Sequence, residues 1–158
     1  MVSNLLVDDR LQFDDFVQSV RGPLTRALAV RYGADQAADA TASALAYAWE
    51  HWDDVRFLTN PRGYLFRVAQ SSTRQRKVAH LPAPEAIGVP QVEPALIPAL
   101  LSLPEPQRVA VWLVHACQWT YSETAEAMGI GTSTVGTHVQ RGMATLRQQL
   151  HVEKEGTP

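Results

Sequence analysis

The stretch 121–150, "YSETAEAMGIGTSTVGTHVQRGMATLRQQL", decides how this chain is read. Two short helical patterns meet in it at a glycine. Helices can cross closely when the first carries a small residue, the turn tolerates positive φ, and the second carries a β-branched plug. Ala125, Gly129 and Val135 supply these three. Met128 and Ile130 flank the turn, and Thr120 with Glu123 three residues on forms a capping box. The layout predicts a helix-turn-helix whose second helix enters a major groove with its N-terminal end toward the bases. An αα-hairpin with a glycine turn shares the pattern. The outward positions of the second helix are Thr134, Gly136, Thr137, His138, Gln140 and Arg141. Threonine and glutamine can hydrogen-bond base edges, and Arg141 can meet a phosphate or a guanine.

Between Gly131 and Gly142 the only formal charge is Arg141, and residues 94–151 hold only Arg108, Arg141 and Arg147 as basic residues. So few cations release few counterions, so this part binds DNA weakly alone and needs a second attachment point. The chain offers one. From Val55 to Pro84 there is no acidic residue, while Arg56, Arg62, Arg67, Arg74, Arg76 and Lys77 fall inside; the net charge of −2 over 158 residues hides this block.

The remaining composition excludes several classes. The 46% hydrophobic content is that of a globular protein. A single cysteine, Cys117, excludes an intramolecular disulfide, and a Cys-rich zinc module does not fit it. The N-terminus lacks a basic segment before an apolar run, and no stretch reaches the ~20 apolar residues that span a bilayer. A cytoplasmic protein is expected. His115 and Cys117 stand two apart on a helix and point away from each other, so they make no nucleophile–base pair. No phosphate loop or metal cluster is present in the sequence. No enzyme activity, cofactor, metal or small-molecule ligand is expected.

Five prolines between Leu81 and Pro98 mark a linker. It divides the chain into a helical domain over 10–79, a linker over 80–93 and a helix-turn-helix domain over 94–151. The fold class is all-α: two small helical domains joined by a Pro-rich linker. In the first domain Phe13, Phe16, Val17, Val20, Leu24 and Leu28 form one helix face, with a bend expected at Gly22-Pro23. Asp35 is expected to cap an alanine-rich helix with Ala38, Ala42, Leu45 and Trp49 on its buried stripe. An irregular stretch over 53–60 leads to Asn60-Pro61, the N-cap and first-turn proline of a further helix with Tyr64, Leu65, Val68 and Ala69 on its apolar side. In the second domain Val135, Val139, Leu146 and either Met143 or Gly142 should face inward.

"LPEPQRVAVWLVHACQWTYSETAEAMGIGTSTVGTHVQRGMATLRQQL" resembles region four of bacterial sigma factors of the extracytoplasmic-function type. That pattern runs L-P-x-x-x-R, an apolar helix, S-Y-x-E-I-A, L-G-I, G-T-V-K-S-R-L and R-A-x-x-x-L-R. "AWEHWDDVRFLTNPRGYLFRVAQSSTRQRK" resembles region two, with its N-P-R-x-W-L-F-R-I-A core and basic tail. The resemblance implies an initiation factor that binds core RNA polymerase and carries it to promoter DNA. The N-terminal domain would open the −10 element and the C-terminal one would read the −35 element as duplex. It places Arg56, Phe57, Leu58, Thr59 and Asn60 in the loop that receives an unstacked base, and Arg62, Arg67, Arg74, Arg76 and Lys77 along the opened strand. It places Asp39, Ser43 and Tyr47 on the polymerase-binding helix. An anti-sigma factor is a further partner compatible with apolar helix faces on both domains.

The chain departs from the pattern where a Gln-Glu pair becomes Ala42-Ser43, K-S-R becomes Gly136-Thr137-His138, a later Arg becomes Met143, and a glycine becomes Gln118. Two alternatives therefore stand beside the initiation factor. One is a degenerate sigma-like protein acting only through polymerase or an anti-sigma factor; the other is a free-standing helix-turn-helix regulator.

Overall fold

The structure, a computed structural model, describes residues 2–72 and 95–155. All of its regular elements are helices. The longest, α1 (Val2–Tyr32), passes through Gly22-Pro23 as one helix. Pro23 removes one ladder bond, and burial of Leu24, Ala27 and Leu28 in the same segment offsets the loss. The helix starts well before residue 10, and its first turns expose Leu5, Leu6, Val7 and Leu11.

Gly33, at φ 75°, turns the chain into α2 (Ala34–Glu50). Gly33 itself is the N-cap residue, and Asp35 lies inside the first turn, contrary to the expected Asp35 cap. The buried stripe is Ala37, Ala40, Thr41, Ala44, Leu45 and Ala48, while Ala38, Ala42 and Trp49 are exposed. In an alanine-rich helix size does not discriminate between faces, so the stripe expected from the sequence was rotated about one residue. Small residues also bring α2 close to α1, where the Thr25 and Thr41 hydroxyls meet at 2.9 Å. Phe13, Phe16, Trp49 and Trp52 form an aromatic cluster at the end of this pair, with Phe13 edge-on to Trp52 at 5.1 Å.

The stretch expected to be irregular begins as one helical turn, α3 (Trp52–Val55), which buries Trp52 and Val55. A loop then leads to α4 (Pro61–Ser72). Asn60 caps it as expected: the Gly63 backbone N–H donates to Asn60 Oδ1 at 3.1 Å. Its buried side includes Phe66, fully enclosed, beside Leu65 and Ala69, while Tyr64 and Val68 are half-buried. The Tyr32 hydroxyl donates to the Ala69 carbonyl and ties α4 to α1.

After residue 95 come α5 (Leu96–Ser102) and α6 (Glu105–Val111). A π-helical turn over Trp112–Ala116 follows, in which the Cys117 N–H reaches back to the Trp112 carbonyl. Next are α7 (Tyr121–Met128) and α8 (Thr132–Glu155). Of the two inward candidates on α8, Gly142 is buried and Met143 only partly so. A Cβ on Gly142 would meet Val111 Cγ2 at 2.7 Å, so a side chain there would push α8 off α6.

The described residues of the two halves share one apolar cluster. Trp112 Nε1 donates to the Arg26 carbonyl at 3.0 Å, and Arg31 pairs with Glu105 at 3.2 Å. Trp119, 2% exposed, sets its ring edge-on to Phe66 of α4 with centroids 5.9 Å apart.

Two substitutions test the local rules. Gln118 is held at φ 59°, a left-handed conformation that costs a side-chain-bearing residue about 1–2 kcal/mol. Gln118→Gly is expected to stabilise the fold by about 0.5–1 kcal/mol, read as a higher urea midpoint at unchanged slope. A lower midpoint would mean that the bond from Gln118 Nε2 to the His115 carbonyl outweighs the strain. Thr124 is fully buried and its hydroxyl has no hydrogen-bond partner among the described residues. Thr124→Val keeps the shape and removes the desolvated hydroxyl, so it should raise stability by about 1 kcal/mol in the same assay.

Candidate nucleic-acid interface

Helices α7 and α8 form the helix-turn-helix unit. The Thr120 hydroxyl accepts from the Glu123 N–H at 3.1 Å, and Glu123 Oε2 accepts from the Thr120 N–H at 2.8 Å, closing the capping box. Gly129 turns the chain at φ 67°, and the Ile130 N–H returns to the Ala125 carbonyl. Ala125, Val135 and Val139 are buried together with Ala110 of α6, and Met128 and Ile130 pack beside them. Thr134, Thr137, Gln140 and Arg141 project from α8 into solvent, and Gly136 and His138 are half-exposed. The sequence reading overlooked Tyr121. Tyr121 is 45% exposed, and its ring lies 3.5 Å from the Cβ position of Gly136, beside the first turns of α8. It stands one residue after the cap, which is the signal that would have found it.

The second group lies on the loop after α3 and on α4. Phe57 is 75% exposed and Leu58 and Thr59 are exposed beside it. An aromatic ring held in water on a short loop is a face on which a base can stack. The Arg56 guanidinium lies 5.0 Å over the Phe57 ring and donates from Nη1 to Asp9 Oδ1 of α1 at 2.8 Å. Asn60 uses both ends of its amide. Oδ1 caps α4, which fixes Nδ2 as an outward donor, and Nδ2 meets Glu126 Oε2 at 2.9 Å. Arg62 donates to Glu123 Oε1 at 2.9 Å and stacks 5.5 Å above Trp119. Arg67 is exposed. Arg74, Arg76 and Lys77 lie outside the described residues.

On α2, Asp39 and Ser43 share the exposed face one turn apart. Tyr47, one turn further, is half-buried. Its hydroxyl is 3.2 Å from that of Tyr64 and its ring stacks on His51 at 4.0 Å.

Two titratable groups are displaced. Burial pushes the Cys117 thiol up to about 12, so it stays protonated at neutral pH. For Glu123 burial also raises the carboxyl, but the Thr120 backbone N–H, the Arg62 guanidinium and the Thr120 hydroxyl together outweigh it and hold it below the usual range. Among the described residues no cluster of His, Cys, Asp and Glu could hold a metal ion. No described helix is long and apolar enough to cross a membrane.

The family model for sigma-70 region 4 matches residues 95–146, which include both helices of the unit. The RNA polymerase sigma-E factor of Streptomyces avermitilis is 30% identical, over 89% of this chain and 86% of its own length. The chain belongs to the extracytoplasmic-function sigma factors. The sigma-E factor of Streptomyces coelicolor is 29% identical over the same shares. Among solved structures, the sigma factor RpoE of Bartonella quintana, in complex with the anti-sigma factor NepR, is similar in fold. Its TM-score is 0.66 at 22% identity, over 89% of this chain and 97% of that one.

Because the Glu123 carboxyl titrates below its unfolded value, its contribution to this sigma factor's stability is full above about pH 4.3 and fades as pH falls through the lower folded value. As pH drops below about 4.3, the urea midpoint of the wild type should therefore fall more steeply than that of Glu123→Gln. Parallel curves would sink this assignment.

Proposed function

We propose that the chain is a working initiation factor of its family. It binds core RNA polymerase in the cytoplasm, reads a −35 element with α8 and holds an opened −10 strand with the loop over 56–60 and α4. The observation that carries this reading is the pairing of an exposed polar face on α8 with an exposed Phe57-Leu58 loop beside Arg56, Asn60 and Arg62. The two surfaces belong to modules over 10–79 and 94–151, joined through 80–93.

Each module has a defined part. Thr134, Thr137 and Gln140 donate and accept at base edges, and Arg141 supplies the single cation of the reading face. Gly136 and His138 stand where the family carries cations, so affinity on the duplex side is low and is made up on the strand side. There an unstacked base can lie against Phe57, at a cost of a few kcal/mol that stacking and the polar groups around it offset. Asn60 Nδ2, held outward by its own cap, donates to that base or its phosphate. Asp39 and Ser43, with Tyr47 behind them, form the face of α2 offered to the polymerase. An anti-sigma factor is a further partner, as the relative from Bartonella has one.

Transcription in vitro tests the reading directly, with purified core polymerase over fragmented genomic DNA of the source organism and sequenced start sites. Starts should share two spaced upstream elements. Arg141→Ala and Asn60→Ala should each lower initiation roughly tenfold, an effect of about 1–3 kcal/mol per lost base contact. Polymerase that co-purifies with the protein yet makes no specific starts would instead favour a degenerate, purely protein-binding role, to which the neutral reading helix would then be the clue.

A further inference from the structure

Helix α1 runs past the end of the helix it packs on. Phe13 lies against Trp49 and Trp52, with ring centroids 4.9 and 5.1 Å apart, at the junction where α2 ends and α3 begins. The turns of α1 before Phe13 therefore project beyond that junction, beside the loop over 56–60. Asp9 stands one turn before Phe13 on the same side of the helix. Its Oδ1 accepts from Arg56 Nη1 at 2.8 Å, across 47 positions of chain. Asp53 and Asp54 lie within three residues of Arg56, yet the guanidinium reaches past them to Asp9.

The contact sets where the guanidinium sits. The Arg56 and Asp9 side chains are 29% and 35% exposed, so the pair is half-buried and its geometry restrained. A pair of this kind adds little to stability, and its consequence is positional. It leaves the Arg56 guanidinium 5.0 Å over the Phe57 ring. The backbone beneath is held separately. The Phe57 N–H donates to the Asp54 carbonyl at 3.4 Å, and the Leu58 N–H donates to the Val55 carbonyl at 3.1 Å. With the guanidinium on one face, Phe57 is still 75% exposed, so its opposite face is open to water. A ring held by a cation on one side is a platform for a base on the other.

The charge has a consequence of its own. A free arginine on this basic stretch would take a phosphate of any strand, whatever its bases. Paired with Asp9, the Arg56 charge is cancelled locally and offers a passing phosphate little.

We propose that Asp9 is a positioning residue for base stacking. It pins the Arg56 guanidinium to one face of Phe57, leaves the other face for an unstacked base, and withholds the Arg56 charge from the phosphates. The loop is thereby made to prefer bases over bare backbone. Asp9 itself touches no base and acts through Arg56. The proposal rests on the reading of the loop over 56–60 as strand-holding.

The test uses the full chain and two fluorescein-labelled probes read by anisotropy. One is a single-stranded DNA of about 12 nucleotides of mixed sequence, and the other has the same length and phosphate count but carries no bases. The ratio of the two affinities reports the bases. The slope of log affinity against log salt reports the phosphates, at about 0.7 for each. Circular dichroism reports retained helix in every variant.

Asp9→Asn is expected to lower the ratio about fivefold, as Phe57→Ala does, because the ring loses its held platform. It should also steepen the salt slope by about 0.7 on both probes, because the freed Arg56 takes a phosphate. Asp9→Glu keeps a carboxylate and should restore both readings. Asp8→Asn makes the same charge change one residue away, on a carboxylate that faces Gln12, and should leave the ratio at the wild-type value. In an Arg56→Gln background Asp9→Asn should change neither reading, since the coupling runs through Arg56. A ratio that Asp9→Asn leaves unchanged while Phe57→Ala lowers it overturns the proposal. So does a fall that Asp8→Asn reproduces, or one that persists without Arg56. A ratio that Phe57→Ala leaves unchanged shows instead that the strand-holding reading of the loop has failed, and the proposal falls with it.

Discussion

Trp119 reaches the N-terminal half because the segment before it takes a wide turn. The π-helical turn over Trp112–Ala116 and the left-handed Gln118 reverse the chain within a few residues, and the Trp119 N–H is caught by the Leu113 carbonyl at 2.9 Å. The turn delivers two indoles toward the first half, Trp112 onto α1 and Trp119 onto α4. An enclosed aromatic ring contributes several kcal/mol, more than any surface ion pair, which adds at most about 1 kcal/mol. The indoles therefore decide that the halves meet, and the ion pairs around them decide the register in which they meet. Strain at Gln118 is tolerated because the residue after it is buried so completely. Wide turns of this kind are rare in ordinary helices and common where a helix must present a side chain off its regular track.

Much of this was legible in the sequence. The capping box at Thr120, the turn at Gly129, the plug at Val135 and the Asn60 cap are local devices. The caps and the turn work through bonds within four residues, and the plug packs on Ala125 at a fixed offset of ten, so spacing alone reveals each. The six outward positions of α8 followed from the plug by helical period and are exposed or half-exposed. What could not be read was set by tertiary contact. Alanine has no size signal, so the buried face of α2 was misplaced. Phe66 was passed over because its partner, Trp119, lies 53 positions away along the chain. Glu123 was read only as a cap, and Asp9 and Glu126 were given no partner, since nothing in a sequence says which cation a carboxylate will find. One trace of the arrangement was present. Two acids, three apart, on the exposed side of a DNA-reading unit have the wrong sign for that task, and Gly63 sits in a helix where alanine would serve the helix better.

Glu123 shows how one side chain can serve both levels. Its Oε2 closes the cap on α7 and its Oε1 takes the Arg62 guanidinium, so the same carboxylate shapes the reading unit and ties it to the other half. The cap is local and survives whatever α4 does. The Arg62 contact is conditional on the halves being together. A residue with one fixed and one conditional partner can release the second without unfolding its own helix.

The charge distribution fits the same logic. The exposed face of α8 carries one cation, Arg141, and the dense basic block lies between Arg56 and Lys77. Nonspecific affinity for duplex falls steeply with each missing cation, so α8 by itself offers a duplex little electrostatic hold. When two weak sites are joined in one chain, the second binds at the effective concentration set by the connection, and selectivity comes from needing both. Such a scheme fails if either site is satisfied on its own by any stretch of nucleic acid.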